Sequence, residues 1–563
     1  MEVPRMFRAQ VKEYCNLQFV PDRDNREEWL KEWVDPQQTG KPYQHDNLAN
    51  VKKAELDGSV YCIPVKFPYR LFTNCGQDTI HRPTLGKNGI PFIPGSSIKG
   101  LFRRVCNEEQ KQRYCGSTEK PGILRFHGAY PVGDWTGKHN VTGMQNGQRV
   151  TETRYSILDL VHPQQARQVQ NQEGTTAIAL ISFYKPTLIF QFSSTDSTIN
   201  WEEVETLLKK ALSQGLGGKT STGYGFPDLT LKSIELPDFT QSENSWHIPL
   251  KGSGVCSMTL TKDPEFRPNI FKASLRSHVT RILAGICSDK NRVNQKVEKL
   301  FGSTTSEGFV KIFWEQLRYT SPRNGTINPT YSIVGKLHLT APEDSKEFIE
   351  VIIKFAYIMA GFGKSWRRVE HQKFYQWYHD NKFAIGCHWT CSEENFISIQ
   401  NQEDLRIFLE GLSELSQKYL QIDSPRPINY WRESWHHERV AVYSKVVSES
   451  QAIQLFHDEN FKTTPAIGGR KPGEERPTSV SCVWHRMLPI AGNQYLEIVT
   501  LFHGGESGDK TGCSNSWRRK DLNGKEENQL PLFTQKLKDL GFELTWGTQP
   551  ELGVRNAKRF RGS

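Results

Sequence analysis

The sequence predicts an α+β protein built by internal duplication, and three recurring landmarks carry that prediction. A basic helix start occurs at 96–104 and again at 269–276. A Gly-Ser pair ahead of a strand-like run occurs at 116–126 and again at 302–314. A helix feeding a Gly-Lys-hydroxyl loop occurs at 201–225 and again at 348–368. Three landmarks in one order seldom recur by chance, so the chain reads as two copies of a unit of about 150–200 residues.

Taken in order, residues 1–57 read as an extension, with Trp29, Leu30 and Trp33 on one amphipathic stretch. Val60 to Phe72 is apolar and β-branched and reads as the first strand. Ser96 or Ser97 is the expected N-cap of the helix that follows, with Lys99, Arg103 and Arg104 within its first turns. Such a start, with open N–H groups and nearby cations, suits an anion. Strand-like runs follow at Gly122 to Phe126, Ala177 to Phe183 and Leu188 to Phe192. The polar stretch 136–175 between them reads as a long inserted loop.

The helix after them carries Trp201, Val204, Leu207, Leu208 and Leu212 on one face. It enters Gly215 to Gly225, where glycines let the backbone approach a ligand and Gly217, Gly218, Lys219, Thr220, Ser221 and Tyr224 supply amides, charge, hydroxyls and a ring. A phosphate suits such a loop. A nucleotide P-loop does not fit, because Ser213 stands where its first glycine belongs and the loop follows a helix rather than opening one.

The second copy repeats this more loosely. A strand is expected at Gly254 to Thr261, then Lys272 and Arg276 at the spacing of Lys99 and Arg103. Gly302-Ser303 comes next, then an apolar helix over Phe348 to Met359. It enters Gly363, Lys364 and Ser365, followed by Arg367 and Arg368. Beyond 370, residues 400–420 read as an amphipathic helix, Val480 to Leu488 and Tyr495 to Phe502 as a strand pair, and 503–528 as polar and mobile.

Composition narrows the function. Lys plus Arg number 72 against 62 acids, a net charge of +10, which permits a polyanionic partner. The 11 cysteines are odd in number and scattered, as suits a reducing cytoplasm, and no apolar run reaches the ~18–20 residues of a membrane span. Cys387 and Cys391 lack the second pair that a structural zinc site needs, so no metal is assigned.

IPGSSIKGLFRR at 93–104 and GLGGKTSTGYG at 215–225 resemble the signatures of the RAMP superfamily of CRISPR-associated proteins, the backbone subunits of type III (Csm and Cmr) effector complexes. FRPNIFKASLR at 266–276, LFGS at 300–303 and GFGKSWRR at 361–368 are similar but degraded, and GGRKPGEERPTS at 468–479 is reminiscent of the Arg-rich segment of larger Cmr-type subunits. The resemblance covers most of 58–370. It implies two tandem ferredoxin-like (RRM-like) RAMP domains, βαββαβ, with insertions and a C-terminal extension. The division would be an N-terminal extension (1–57), a first domain (58–243), a second, degraded domain (244–445) and a strand-containing remainder of the second domain with a basic tail (446–563).

It also implies a cytoplasmic, cofactor-free subunit that grips guide RNA phosphates and positions target RNA for antiviral defence. Its partners would be other RAMP subunits and the large subunit of the complex. The RNA contacts implied are Ser96, Ser97, Lys99, Arg103, Arg104, Gly217, Gly218, Lys219, Thr220, Ser221, Tyr224, Lys272, Arg276, Gly363, Lys364, Ser365, Arg367 and Arg368.

Some members of the family cut target RNA with an aspartate two residues before a proline in the loop ahead of the PGSS helix. Here that slot holds His81, before Pro83, and the loop's one acid is Asp78; in the second copy Asp263 and Glu265 lie beside the helix start. A binding subunit is therefore expected ahead of a metal-dependent endoribonuclease using Asp78. A stand-alone RRM-like RNA-binding protein is the remaining alternative, although no aromatic RNP-type strand appears.

Overall fold

The computed structural model describes residues 60–73, 80–81, 83–85, 91–132, 138–145, 148–155, 158–160, 179–183, 185–228, 236–258, 264–303, 306–320, 329–363, 367–369, 371–380, 385–392, 396–428, 433–462, 464–467, 481–504, 516–520 and 526–550. Two compact units divide the chain, 1–241 with 257–268 and 242–256 with 269–563. The expected 1–57 extension and the strand expected at Leu229 to Ile234 lie outside the described residues.

In the first unit, β1 (Tyr61–Lys66) leads to α1 (Gly95–Val105), then β2 (Leu124–Val132), β3 (Thr187–Ser194) and α2 (Trp201–Ser213). β3 lies between β1 and β2, antiparallel to both, so the sheet order is 1-3-2. The two helices pack together over one core, which joins Ile98, Leu101 and Phe102 to Val204, Leu208 and Leu212 and to Phe190 and Phe192 of the sheet. α2 forms where the period predicted it. Asn200 caps it by accepting from Glu202 N and Glu203 N, both at 3.1 Å, and Gly215 at φ +90° ends it.

Two details differ from expectation. α1 begins one residue before the serines: its N-cap is Pro94, whose carbonyl accepts from Ser97 N and Ile98 N. The stretch expected as a loop holds a hairpin, Lys138–Gln145 against Gln148–Tyr155, with Asn146-Gly147 between its strands. That dipeptide is a strong hairpin signal in its own right.

Among its described residues the second unit contains two sheets of four or more strands. β4 (Ser245–Val255) precedes α3 (Asn269–Ile286) and α4 (Lys290–Phe301). β5 (Lys311–Thr320), β6 (Thr330–Thr340), α5 (Lys346–Phe355) and β7 (Cys387–Cys391) follow, in sheet order β5-β6-β4-β7. β4 lies earlier than the strand expected at Gly254 to Thr261. Within β4 the Trp389 ring lies on the backbone at Gly252: a Cβ there would stand 2.4 Å from Cε3.

After α6 (Gln402–Leu420), the remaining strands form a sheet of their own. β8 (Val440–Val447) is followed by α7 (Ala452–His457), β9 (Val483–Ile490), β10 (Gln494–Phe502), α8 (Leu530–Asp539) and β11 (Glu543–Gly547). The order is β9-β10-β8-β11, with the two-residue strand Arg367–Arg368 added in parallel on β9. Within 503–528, Arg518–Lys520 pairs with Glu526–Asn528. Among the described residues no helix is long and apolar enough to cross a membrane.

Candidate nucleic-acid interface

Lys66, the last residue of β1, pairs with Thr187, the first of β3. α1 starts alongside β2, where Ile93 bridges Ala129, and α2 runs back towards the Lys66 end from the far end of β3. The glycine loop therefore arrives beside the end of β1. Two bonds fix this placement, Asp228 N to Lys66 O at 2.8 Å and Gly218 N to Phe72 O at 2.7 Å.

The α1 start has neither a side-chain cap nor an acid in its first turn, so its leading amides face outward with the positive end of the helix dipole. Gly95 makes this possible, since a Cβ there would sit 1.9 Å from Phe126 O of β2. Ser96, Ser97, Lys99 and Arg104 are exposed. Arg103 is spent elsewhere: its Nη1 donates to Gly116 O at 2.9 Å.

The glycine loop turns many of its amides inward. Gly218 N bonds Phe72 O, Thr222 N and Tyr224 N bond Lys219 O, and Gly223 N bonds Thr220 O. A Cβ on Gly217 would lie 2.0 Å from Phe72 O, so the loop presses on the chain that leads towards Asp78. What it offers outward is Lys219 and Ser221, both exposed, with Thr220 half-buried. Lys219 holds φ +60°, a left-handed conformation that a non-glycine residue adopts at a cost. Crowding by the loop desolvates its ammonium and lowers its pKa, yet its side chain is exposed by area, and area decides access. Among the described residues Lys99, Arg104 and Lys219 make no ion pair. Tyr224 is not a surface ring: it is 3% exposed, edge-on to Phe72 at 5.0 Å between centroids.

Beneath Tyr224 lies an ionic cluster that sequence reasoning missed. Arg70 Nε donates to both Glu265 oxygens, at 3.0 and 2.8 Å, Arg267 also binds Glu265, and all three are nearly fully buried. Burial alone would raise the Glu265 carboxyl, but the two guanidiniums outweigh it and hold it below its ordinary value. Glu265 is thus held in a structural cluster. Asp78 and Asp263 lie outside the described residues, and His81 is described only in its backbone. Among the described residues no group of three His, Cys, Asp or Glu side chains stands close enough to hold a metal ion.

In the second unit the corresponding elements touch. The α3 start and the turn after α5 meet at the end of β4: the Phe271 ring lies 5.1 Å from Phe362, and Trp389 Nε1 donates to Phe362 O at 2.5 Å. Lys272 is half-buried and Gly363 lies at this end. Lys364 and Ser365 fall outside the described residues, and Arg367 and Arg368 are described only as strand. Arg276 again donates to a turn carbonyl, that of Gly302. Cys387 and Cys391 are ladder residues of β7, paired with Gly254 and Leu250.

Residues 70–228 match the family model described as the RAMP superfamily. No curated protein matches the chain. Among solved structures, Cmr1 from Pyrococcus furiosus (apo form) is 13% identical over 54% of this chain and 99% of its own, with a TM-score of 0.33. Cmr6 from Pyrococcus furiosus is 18% identical over 30% of this chain and 98% of its own, with a TM-score of 0.20. A chain of the Type III-B Cmr-beta complex bound to cognate target RNA is 17% identical, with a TM-score of 0.21. That match covers 30% of this chain and 57% of the Cmr-beta chain.

Proposed function

Because this chain carries a RAMP-superfamily region at residues 70–228, we propose that it is a backbone subunit of a type III CRISPR ribonucleoprotein. In this reading it holds guide RNA by its phosphates and positions complementary target RNA, in contact with sibling RAMP subunits and the large subunit. The observation that carries the proposal is an uncapped α1 start and the Lys219 loop within one unit, with Lys99, Arg104 and Lys219 exposed and free of acid partners among the described residues. The strand orders support ferredoxin-like units: 1-3-2 in the first sheet, and 2-3-1-4 in the second when its strands are numbered in chain order. Phosphate contacts carry no base information, so sequence is left to base pairing.

The test is purification from the native host. A small RNA of defined length together with sibling subunits is expected, and a nucleic-acid-free monomer overturns the reading. A partner-free chain that binds unrelated single-stranded RNA tightly would favour the stand-alone alternative instead.

One observation keeps a nuclease reading in view: the Gly218–Phe72 bond ties the chain entering the Asp78 loop to the glycine loop. If that loop cuts RNA with a divalent metal, Asp78→Ala abolishes one cut in complementary RNA while binding persists. An unchanged cleavage pattern removes Asp78 from the mechanism.

A further inference from the structure

We propose that residues 440–547 are a third copy of the same unit, and that its anion position is filled from within by Glu497, so that among the described residues RNA phosphates are held by the first two copies. The second clause rests on the RNA reading above; the first does not.

The topology comes first. Numbered in chain order, β8, β9, β10 and β11 stand in the order 2-3-1-4, the order of β4, β5, β6 and β7. Every pairing among the four is antiparallel, with α7 after the first strand and α8 after the third. As in the second copy, the start of the first helix and the end of the second meet where the first strand ends. Lys445 of β8 bridges them, donating to Gln451 Oε1 at 2.8 Å and to Leu540 O at 2.7 Å.

The contents of that position differ from the first copy. Glu497 of β10 accepts from Gln451 N at 2.8 Å, Ala452 N at 3.1 Å and the Ser450 hydroxyl at 2.5 Å, and its Oε1 also bonds His485 Nε2 at 2.7 Å. Glu497 and His485 are both 0% exposed. A buried carboxylate needs such donors to be tolerated. Here it takes the Ala452 amide, whose counterpart at the α1 start is Gly95 N, and the Gln451 amide, where α1 has Pro94 and no N–H, while Lys445 is committed to a carbonyl and an amide oxygen. A phosphate meets a negative charge and finds these donors already used.

Two measurements test this in the full chain. Ultraviolet crosslinking of the RNA complex should map to 60–228 and 245–391. Peptides around Ser448–Gln451 or Gly541 that crosslink would overturn the confinement of RNA while leaving the RNA reading intact. A complex that crosslinks nowhere defeats the RNA reading instead and leaves the plug to the second measurement.

That measurement uses inorganic phosphate alone. Glu497→Ser removes the internal anion, so excess phosphate should raise its melting temperature by about 2–4 °C more than it raises that of the parent. Glu497→Gln, which keeps the shape and an acceptor, should respond like the parent. Equal phosphate responses from all three proteins overturn the plug. Should Glu497→Ser fail to fold, the crosslink map of the parent decides.

Discussion

The Gly-Ser turns and the glycine loop are built from the same residue types, and the sequence offered both as landmarks of a repeated unit. In the turns, Gly116 and Gly302 hold φ +81° and +79°, and Arg103 and Arg276 each donate into the turn carbonyl. Ser117 N bonds Lys120 O at 2.8 Å, and Ser303 N bonds Ser306 O at 2.9 Å. Every cation and amide named there is satisfied inside the fold. In the glycine loop the backbone is also largely satisfied inwardly, yet Lys219 and Ser221 point into solvent. Recurrence thus marks geometry that folding needs. A ligand site is marked by charge that the fold leaves unspent.

That contrast can be broken most severely beneath the loop. Glu265→Ala leaves the buried Arg70 and Arg267 without their carboxylate and should cost about 3–5 kcal/mol in urea unfolding. The same group gives a pH signature. Its folded pKa lies below its unfolded one, so its stabilising contribution is present above the ordinary carboxylate range near ~4.3 and is lost as pH falls through the folded value. Urea midpoints from neutral to acid pH should therefore fall more steeply for the parent than for Glu265→Ala.

Next come the turn arginines. Arg103→Ala and Arg276→Ala each remove a charged hydrogen bond and should destabilise by about 1.5–3 kcal/mol, with the salt dependence of RNA binding unchanged. A lowered salt slope in either variant would return that arginine to the RNA surface. Gly217→Ala sharpens the comparison differently: φ +81° and the 2.0 Å approach to Phe72 O predict a loss of about 1–3 kcal/mol together with weakened RNA binding. Retained affinity would separate loop shape from function.

The smallest effect on stability belongs to Lys219→Ala, within about 0.5 kcal/mol of the parent. Its signature is elsewhere, in a salt slope of RNA binding lowered by about one unit for guides of any sequence. If the slope is unchanged, the loop is a structural turn and the contrast drawn here is lost.

Much of this was legible in the chain. The period of Val204, Leu207, Leu208 and Leu212 gave α2, and 400–420 gave α6 to within two residues. The strands of β9 and β10 were placed within a few residues, although their membership of a separate sheet was not seen. Elsewhere the local signal misled. β4 was expected from Gly254 and begins at Ser245, because nothing near Gly252 in sequence reveals the Trp389 ring lying on it. Ser96 and Ser97 read as caps because the close approach of Gly95 to β2 is a long-range fact.

What the sequence determined by itself was whatever rests on neighbours along the chain: helical period, a capping asparagine, glycines that permit a left-handed turn, and the order of recurring landmarks. Only the tertiary structure decided which charges are spent. Arg70 finds Glu265 across 195 residues, and Ala452 N finds Glu497 across 45. Arg103 donates to the Gly116 carbonyl while Arg104, its neighbour and equally exposed, makes no ion pair among the described residues. The physical reason is that an ion pair acts through space and its worth depends on desolvation, and neither the distance nor the burial is written in the spacing of residues.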